Sequence, residues 1–456
     1  MNIIIVGCGK IGTALTSALS EEGHNIAIID LDGEVVNVVA SENDVIGVEG
    51  NGVSVTVQNE AGLEHANLLI ATTGSDEVNL LCSLVAKRVN SEMKAIVRVR
   101  NPIYINESEY FKEVLGLSMI INPEWTMANE IARQLRFPFA DKIDTLARGR
   151  IEILGHTIGK DSPLDGMRIM DMNRKLETDV LICGVEREGE VIIPNGSFKI
   201  KSGDKVSFIA SGKEASKFFR RLKADTHQVK NTMIIGGGKT ALYLAGQLLG
   251  MGVGVLIIEK NKERCEFLEE NLENATVICG DGTDQNLLLE EGIEQVESMV
   301  ALTDIDEENI LLSFFAKKVN PKIKVLTKIN RDVYDYLMAD IDVGTMMHMK
   351  TMVVDYSISL ARALQNSLGS NVETLVHIMD GRAEALEFHV GENCELAGKP
   401  IMDLKLKPNL LIAAIRRGVH ITYPRGQDQI RAGDNVVVVT TWTGLNDITD
   451  ILRSRV

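Results

Sequence analysis

Gly7-Cys8-Gly9-Lys10-Ile11-Gly12 is the first stretch whose residue types and spacing could do chemistry. It reads G-x-G-x-x-G, after the apolar run Asn2–Val6 and before the helical pattern Ile11–Glu22. A strand–loop–helix setting gives each glycine a task. Gly7 permits a tight turn, Gly9 lets a pyrophosphate approach the backbone, and Gly12 lets helix and strand pack closely. The unpaired N–H groups and positive dipole end of the helix then attract phosphate oxygens. Asp30, with Leu31 beside it, closes the second apolar run, the place where this fingerprint carries its acid. A carboxylate there accepts hydrogen bonds from a ribose 2′-OH and repels a 2′-phosphate. NAD or NADH is therefore expected over its 2′-phosphorylated form. The competing reading is a tight turn beside a solvated acid.

A second fingerprint, Gly236-Gly237-Gly238-Lys239-Thr240-Ala241, ends in alanine, and Glu259 takes the acidic position. This second site can prefer a different nucleotide or stand empty. Gly238-Lys239-Thr240 is not a P-loop, because Met233 occupies the position of the leading glycine.

Further contacts are expected from the carboxyl ends of the strands, where such sheets bind ligands. Thr72-Thr73-Gly74 follows the fourth apolar run, and Gly50-Asn51 follows the third. Arg98 and Arg100 alternate along the fifth, so they share a face. Each can meet a phosphate or an internal acid, the internal acid being favoured for Arg100. In the second half the corresponding residues are Gly280-Asp281, Thr303-Asp304 and Lys328.

The elements that must position these residues come in duplicate. Gly7 recurs as Gly236, and Asp30 recurs as Glu259 at the same offset. Gly50-Asn51-Gly52 recurs as Gly280-Asp281-Gly282, and Asn79 as Asn309, at an offset one position longer. Pro194-x-Gly196 with Gly203-Asp204 recurs at that longer offset as Pro424-x-Gly426 with Gly433-Asp434. The halves are thus 1–228 and 229–456, each with a front and a back part, dividing the chain at 1–140, 141–228, 229–368 and 369–456. The front parts alternate short Ile/Val-rich runs with helical patterns, predicting α/β Rossmann-like parallel sheets. The back parts read as small α+β lobes: Val180–Val185, a polar turn, Val191–Ile193, Lys205–Ala210 and a helix over Glu214–Lys223. In the last lobe, Leu410–Ile415 and Asn435–Thr440 are followed by a helix predicted over Leu445–Arg453. Linkers are expected at Ala140–Ala147, Ala224–Lys230 and Ser367–Val372. Met338, Met346, Met347, Met349 and Met352 suggest a core or subunit-contact helix. Asp304–Glu308 reads as a solvated helix start.

Composition narrows the function classes. Aromatic residues are 4% and the net charge is −16, which argues against stacking single strands and against nucleic-acid or anionic-lipid partners. No apolar run reaches membrane-spanning length, and the N-terminus lacks signal-peptide features. The six cysteines form no Cys-x-x-Cys pair and read as buried thiols of a reducing cytosol, and the eight histidines suggest no metal site.

With these motifs in hand, the sequence resembles, over essentially its whole length, the TrkA family. Its members are cytoplasmic regulatory subunits of Trk-type potassium uptake systems, built from RCK domains (regulators of potassium conductance). The resemblance is carried by IIIVGCGKIG ending at Gly12, IIDLD at Ile28–Asp32, GNG at Gly50–Gly52, ATTGSDEVN at Ala71–Asn79, VRVRNP at Val97–Pro102 and the duplicated P-x-G-x6-G-D turn. It implies tandem Rossmann-like domains, each followed by an RCK C-terminal lobe. It also implies binding of NAD or NADH, with ADP or ATP in some members, and a gating ring beneath a membrane potassium channel subunit. Four chains would supply eight RCK units, a homotetramer held peripherally at the inner face of the membrane. Gly7 to Ile11, Asp30, Thr72, Thr73 and Arg98 would form the first site. Gly236 to Thr240, Glu259, Gly280 and Asp281 would form the second. The chain departs from the family pattern at Asn51, often Asp in relatives, and at Ala241.

Three function classes follow: a regulatory sensor, an NAD-dependent dehydrogenase, and a scaffold with dead nucleotide sites. The dehydrogenase needs a general acid/base beside the nicotinamide. In half one only His156 and His227 lie beyond the front part, neither in a catalytic motif, and the back lobes are small for enclosing a substrate. The retained fingerprints oppose the scaffold, so the sensor is the primary expectation.

Overall fold

The computed structural model describes the chain apart from residues 138–139, 141, 147–150, 223–228, 332, 339–340, 368–371, 380–381, 393, 419 and 454–456. The chain forms two compact units, neither of which is a continuous half. Residues 1–136 and 229–358 make the first, and 137–228 and 359–456 the second. The packing therefore joins front part to front part and back part to back part.

The first sheet is built from β1 (Asn2–Val6), β2 (Asn25–Asp30), β3 (Ile46–Glu49), β4 (Leu68–Ala71), β5 (Lys94–Arg98) and β6 (Met119–Ile121). Its order is β3-β2-β1-β4-β5-β6, parallel throughout. The connecting helices are α1 (Lys10–Glu21), α2 (Gly33–Asn43), α3 (Val55–Glu60), α4 (Asp76–Val89), α5 (Pro102–Asn106) and α6 (Ser108–Leu115), and α7 (Pro123–Arg136) follows the last strand. Ile3, Ile4, Ile5 and Val6 are all buried, as strands covered on both faces require. Local signals set the helix starts: Asp32 accepts the N–H groups of Glu34 and Val35, and Ser75 accepts that of Val78. The strand order reverses between β1 and β4, which opens a crevice at the carboxyl ends of the strands.

The back part contributes β7 (Lys142–Leu146), β8 (Ile151–Thr157), α8 (Ile169–Leu176), β9 (Leu181–Arg187), β10 (Glu190–Ile192), β11 (Lys205–Ile209) and α9 (Gly212–Arg221). The second sheet of the first unit holds β12 (Asn231–Ile235), β13 (Gly254–Glu259), β14 (Thr276–Cys279), β15 (Ser298–Ala301), β16 (Lys324–Ile329) and β17 (Thr345–His348). It repeats the order of the first, as β14-β13-β12-β15-β16-β17. Its helices are α10 (Lys239–Gly250), α11 (Lys262–Asn271), α12 (Gln285–Glu290), α13 (Asp306–Val319) and α14 (Val333–Leu337), and α15 (Met349–Ser367) follows the last strand. The last lobe has β18 (Val372–Ile378), β19 (Ala383–His389), β20 (Leu410–Arg417), β21 (His420–Thr422) and β22 (Asn435–Thr440). Both lobe sheets are antiparallel, ordered β10-β9-β11-β8-β7 and β18-β19-β22-β20-β21.

Within the first unit, α7 of half one buries its apolar face against half two. Met127, Ala128, Ile131, Ala132 and Leu135, at helical spacing, pack with Ala241, Leu244, Ala245 and Leu248 of α10. The methyl of Ala241 thus belongs to a core shared between the halves. Asn122 adds a hydrogen bond to the Tyr243 hydroxyl at 3.3 Å.

In the second unit the duplicated Gly-Asp turn has a plain role. Asp204, 1% exposed, accepts Arg187 Nε and Nη2 at 2.7 Å each and the Lys201 N–H at 2.7 Å. Asp434 repeats this with Arg417 and the Arg431 N–H. Burial pushes the Asp204 pKa up, but the bonds from Arg187 and Lys201 outweigh it and hold the carboxyl below its ordinary range.

Several expectations need correction. The expected linker Ala140–Ala147 contains β7, which pairs antiparallel with β8. Most of the other two expected linkers lies outside the described residues. The helix predicted over Leu445–Arg453 is a single 3-10 turn, Ile448–Ile451. Asp447 and Asp450 cap it reciprocally, and the Arg453 N–H then bonds the Lys405 carbonyl, which ends it. The methionines do not share one helix. Met346 and Met347 lie on β17, Met349 and Met352 open α15, and Met338 follows α14, although Met347 is buried in the core as expected. Of the six cysteines, Cys279 is exposed and Cys394 half-buried.

Candidate nucleotide sites

The first glycine loop is as tight as its sequence requires. Gly7 has φ +99°, and a Cβ there would stand 2.8 Å from the Thr73 nitrogen. A Cβ on Gly12 would stand 1.8 Å from the Gly7 carbonyl oxygen. Gly9 caps α1 without a side chain and is open, with nothing within 4 Å of a Cβ built on it. The first helical bond of α1 runs from the Thr13 N–H to the Gly9 carbonyl. The N–H groups of Lys10, Ile11 and Gly12 are left for a ligand, at the positive end of the helix dipole.

Asp30 fixes this loop. Its Oδ2 accepts the Cys8 N–H at 2.6 Å, and its Oδ1 accepts the Asp32 N–H at 3.1 Å. A carboxylate has about four acceptor positions, so half remain for a ribose. Leu31 beside it is 72% exposed, an apolar flank on the same edge. Burial first, and the Asp30 charge second, push the Cys8 thiol up to about 12, so it is no nucleophile. Gly50 and Asn51 join the same edge: the Gly50 N–H bonds the Asp30 carbonyl at 2.8 Å, and Asn51 is exposed just beyond it. Gln58, which sequence reasoning missed, is fully buried and donates to the Gly52 carbonyl at 2.6 Å.

Thr72 is buried and donates to the Gly7 carbonyl at 3.2 Å, which ties the β4 loop to the glycine loop. Thr73 gives both its N–H and its hydroxyl to Asn79 Oδ1 at 2.7 Å. Asn79 Nδ2 in turn donates to the carbonyls of Thr73 and Arg98. The recurrence of Asn79 as Asn309 was the available signal, and Asn309 makes the same bonds to Thr303 and Lys328. Asn79→Ala is expected to destabilise the first unit by about 2–3 kcal/mol, since it strands buried polar groups. Urea unfolding of the full chain measures this, and an unchanged midpoint would refute the clamp.

The second site repeats the plan. Gly236 has φ +100°, Gly238 caps α10, and the first-turn N–H groups of Lys239, Thr240 and Ala241 are left for a ligand. Glu259 accepts the Gly237 N–H at 2.6 Å and the Asn261 N–H at 2.8 Å. The Gly280 N–H bonds the Glu259 carbonyl at 2.9 Å. Asp281 is exposed and accepts the N–H and hydroxyl of Thr283, which holds its carboxyl below the ordinary range. Arg264, which no motif announced, donates from Nε to the Gly237 carbonyl at 2.5 Å and lies over the Phe267 ring. Val35 stands at its position in the first half.

The basic residues sort unequally. Arg100 is structural, pairing through Nε with Glu124 at 2.9 Å. Arg98, at the end of β5, has a buried Nε with no hydrogen-bond partner among the described residues. Burial first, then the neighbouring Arg100, lower its pKa, while Glu124 and Asp76 act the other way. Lys328, its counterpart, is paired with Asp304 at 2.9 Å. The acidic run is not wholly solvated: Asp306 is buried and accepts the N–H groups of Asn330 and Arg331.

Comparison with known proteins agrees with this architecture. The TrkA-N domain model matches residues 3–123 and 232–349, and the TrkA-C domain model matches 153–223 and 385–453. The chain is 31% identical to the Trk system potassium uptake protein TrkA homolog of Archaeoglobus fulgidus, over 99% of this chain and 100% of that protein. It is also 31% identical to the Trk system potassium uptake protein TrkA of Vibrio alginolyticus, over 96% of this chain and 95% of that one. The crystal structure of the GsuK RCK domain shares the fold at TM-score 0.63 and 16% identity, over 96% of this chain and 92% of that one. The GsuK channel bound to NAD matches at TM-score 0.63 and 17% identity, over 96% of this chain and 76% of that chain. The chain belongs to the TrkA family, with one TrkA-N and one TrkA-C module in each half.

Proposed function

We propose that this protein is a nucleotide-sensing regulatory subunit of a potassium uptake system, acting in the cytoplasm on a membrane channel or transporter partner and catalysing no reaction itself. The observation that carries the reading is the pair of glycine loops with open helix N-termini, each locked by an acid. The acids beside the loops, Asp30 and Glu259, are engaged in holding loop N–H groups. The relatives' potassium-uptake names support the partner class, and no helix among the described residues is long and apolar enough to cross a membrane. NAD or NADH is the proposed ligand of the first site, with ADP or ATP as further candidates. Gly7–Gly12, Asp30, Leu31, Gly50, Asn51, Thr72–Gly74 and Arg98 would line it. Gly236–Thr240, Glu259, Gly280 and Asp281 would line the second. The four modules divide near 140, 228 and 368, and a homotetramer would assemble eight such front-and-back pairs. Nucleotide would act through a difference in affinity between two arrangements of the modules, the only way a ligand can shift such an equilibrium.

Calorimetry of the full chain with NAD, NADH, ADP and ATP tests this. Binding of at least one at micromolar concentration is expected, and binding of none would overturn the reading. Sustained NADH oxidation with a small carbonyl substrate would instead favour a dehydrogenase.

A further inference from the structure

The two sites carry the same cation position but not the same charge. Arg98 and Lys328 are related by the internal repeat, and so are Gly74 and Asp304. In the second half Asp304 Oδ1 receives Lys328 Nζ at 2.9 Å. Lys328 is 11% exposed at its side chain, so Asp304, itself 98% exposed, reaches in from the solvent side of the loop. In the first half that place is Gly74, which has no carboxylate to offer. Arg98 accordingly makes no ion pair among the described residues, and its Nε is buried without a partner. A buried guanidinium edge left unpaired is costly unless something completes it.

We propose that Gly74 and Asp304 set the charge each site accepts: the first site, through Arg98, favours the nucleotide with the additional phosphate, and the second, through Asp304, disfavours it. This rests on the nucleotide reading above and adds a selectivity to it. At the first site a terminal phosphate would meet Arg98 and complete its hydrogen bonding. At the second it would meet a neutral pair, with the Asp304 carboxylate on the approach side. Because Asp304 is exposed, its bond to Lys328 is weak and displaceable, so the effect at the second site is a bias and not a block. The ratio of ATP to NAD affinity should therefore be higher at the first site than at the second, although both loops hold a pyrophosphate in the same way.

The sites can be read separately. Gly9→Asp and Gly238→Asp put a carboxylate where phosphates dock, and a Cβ at either position meets nothing within 4 Å. Their φ values, −71° and −65°, suit any residue. With the second site closed by Gly238→Asp, Gly74→Asp is expected to weaken ATP about tenfold and NAD less than about threefold. Gly74 has room for the side chain, with nothing within 4 Å of its Cβ position. With the first site closed by Gly9→Asp, Asp304→Gly is expected to strengthen ATP about tenfold and leave NAD nearly unchanged. The uncharged Gly74→Asn should keep the parental ratio, separating charge from bulk. The measurement is calorimetry of the full chain with ATP and NAD, without divalent cations. Nucleotide binding with unchanged ATP-to-NAD ratios in Gly74→Asp and Asp304→Gly would overturn the charge assignment alone. Failure of the unsubstituted chain to bind either nucleotide would overturn the nucleotide reading and this proposal with it.

Discussion

Gly12→Ala is expected to abolish nucleotide binding at the first site, with affinity falling about a hundredfold or more, close to 2.7 kcal/mol. The added methyl would stand 1.8 Å from the Gly7 carbonyl oxygen, and 3.1 Å from the Thr72 hydroxyl. Neither neighbour can yield cheaply. Gly7 is pinned by its N–H bond to the Ile29 carbonyl at 2.8 Å, and Thr72 by its bonds to Val6 and Gly7. The loop must therefore move away from α1, dragging the Cys8 N–H off Asp30. Overpacking of this kind also costs about 2–3 kcal/mol of stability. The internal control is Ala241→Gly in the second loop. There the methyl is native and buried against α7, so its loss should lower stability by about 1–2 kcal/mol, from lost burial and helix propensity, without closing the site. Denaturant unfolding and nucleotide titration of both variants measure this. A Gly12→Ala chain that binds nucleotide like the parent would show that helix and loop are not in such close approach.

Asp204→Ala should lower the stability of the second unit by about 3 kcal/mol. It removes one member of a bidentate pair whose acid is 1% exposed, and it leaves the Arg187 guanidinium and the Lys201 N–H without their acceptor. Arg187 keeps its bond to the Lys199 carbonyl at 2.8 Å and its contact with the Phe198 ring, so the arginine stays in place and the loss falls on the turn. The same pair carries a pH dependence. The Asp204 pKa is lower folded than unfolded, so its stabilisation is fully present above the unfolded value of about 3.9. It is lost as pH falls through the lower, folded value. The parent chain should therefore lose stability more steeply below about pH 4 than Asp204→Ala does. Parallel acid-unfolding curves in the two variants would mean that the pair contributes nothing in this range. Equal urea midpoints at neutral pH would rule out the turn as a stability determinant.

Those two sites differ in how far the sequence alone announced them. The glycine loop could be read directly because its chemistry is local: the strand, the three glycines and the acid all fall between Asn2 and Asp30. The Gly-Asp turn was visible only as a repeat. Its reason, a buried aspartate answering Arg187 from a neighbouring strand, needed the register of β9 against β11. Asn79 was likewise visible as a repeat without a role, since its partners Thr73 and Arg98 lie on two different strand ends. Arg264 and Gln58 carried no signal, because one has Val35 as its counterpart and the other sits in a very short helix, Val55–Glu60. The short sixth strands, Met119–Ile121 and Thr345–His348, were missed for a related reason. Runs that short cannot show a period, and only pairing with the neighbouring strand defines them.

The sequence by itself determined that there are two Rossmann-like folds in tandem, where each glycine loop lies, and which acid follows it. These features repeat over short distances, and backbone sterics enforce them locally. Only the tertiary structure decided that front parts pack with front parts and back parts with back parts. That choice depends on apolar faces, such as that of α7 on α10, whose partners lie in the other half of the chain. It also decided that Asp304 pairs with Lys328 while Arg98 makes no ion pair among the described residues. Pairing of charges depends on where strand ends and loops meet in space, and the paired fingerprints give no hint of it.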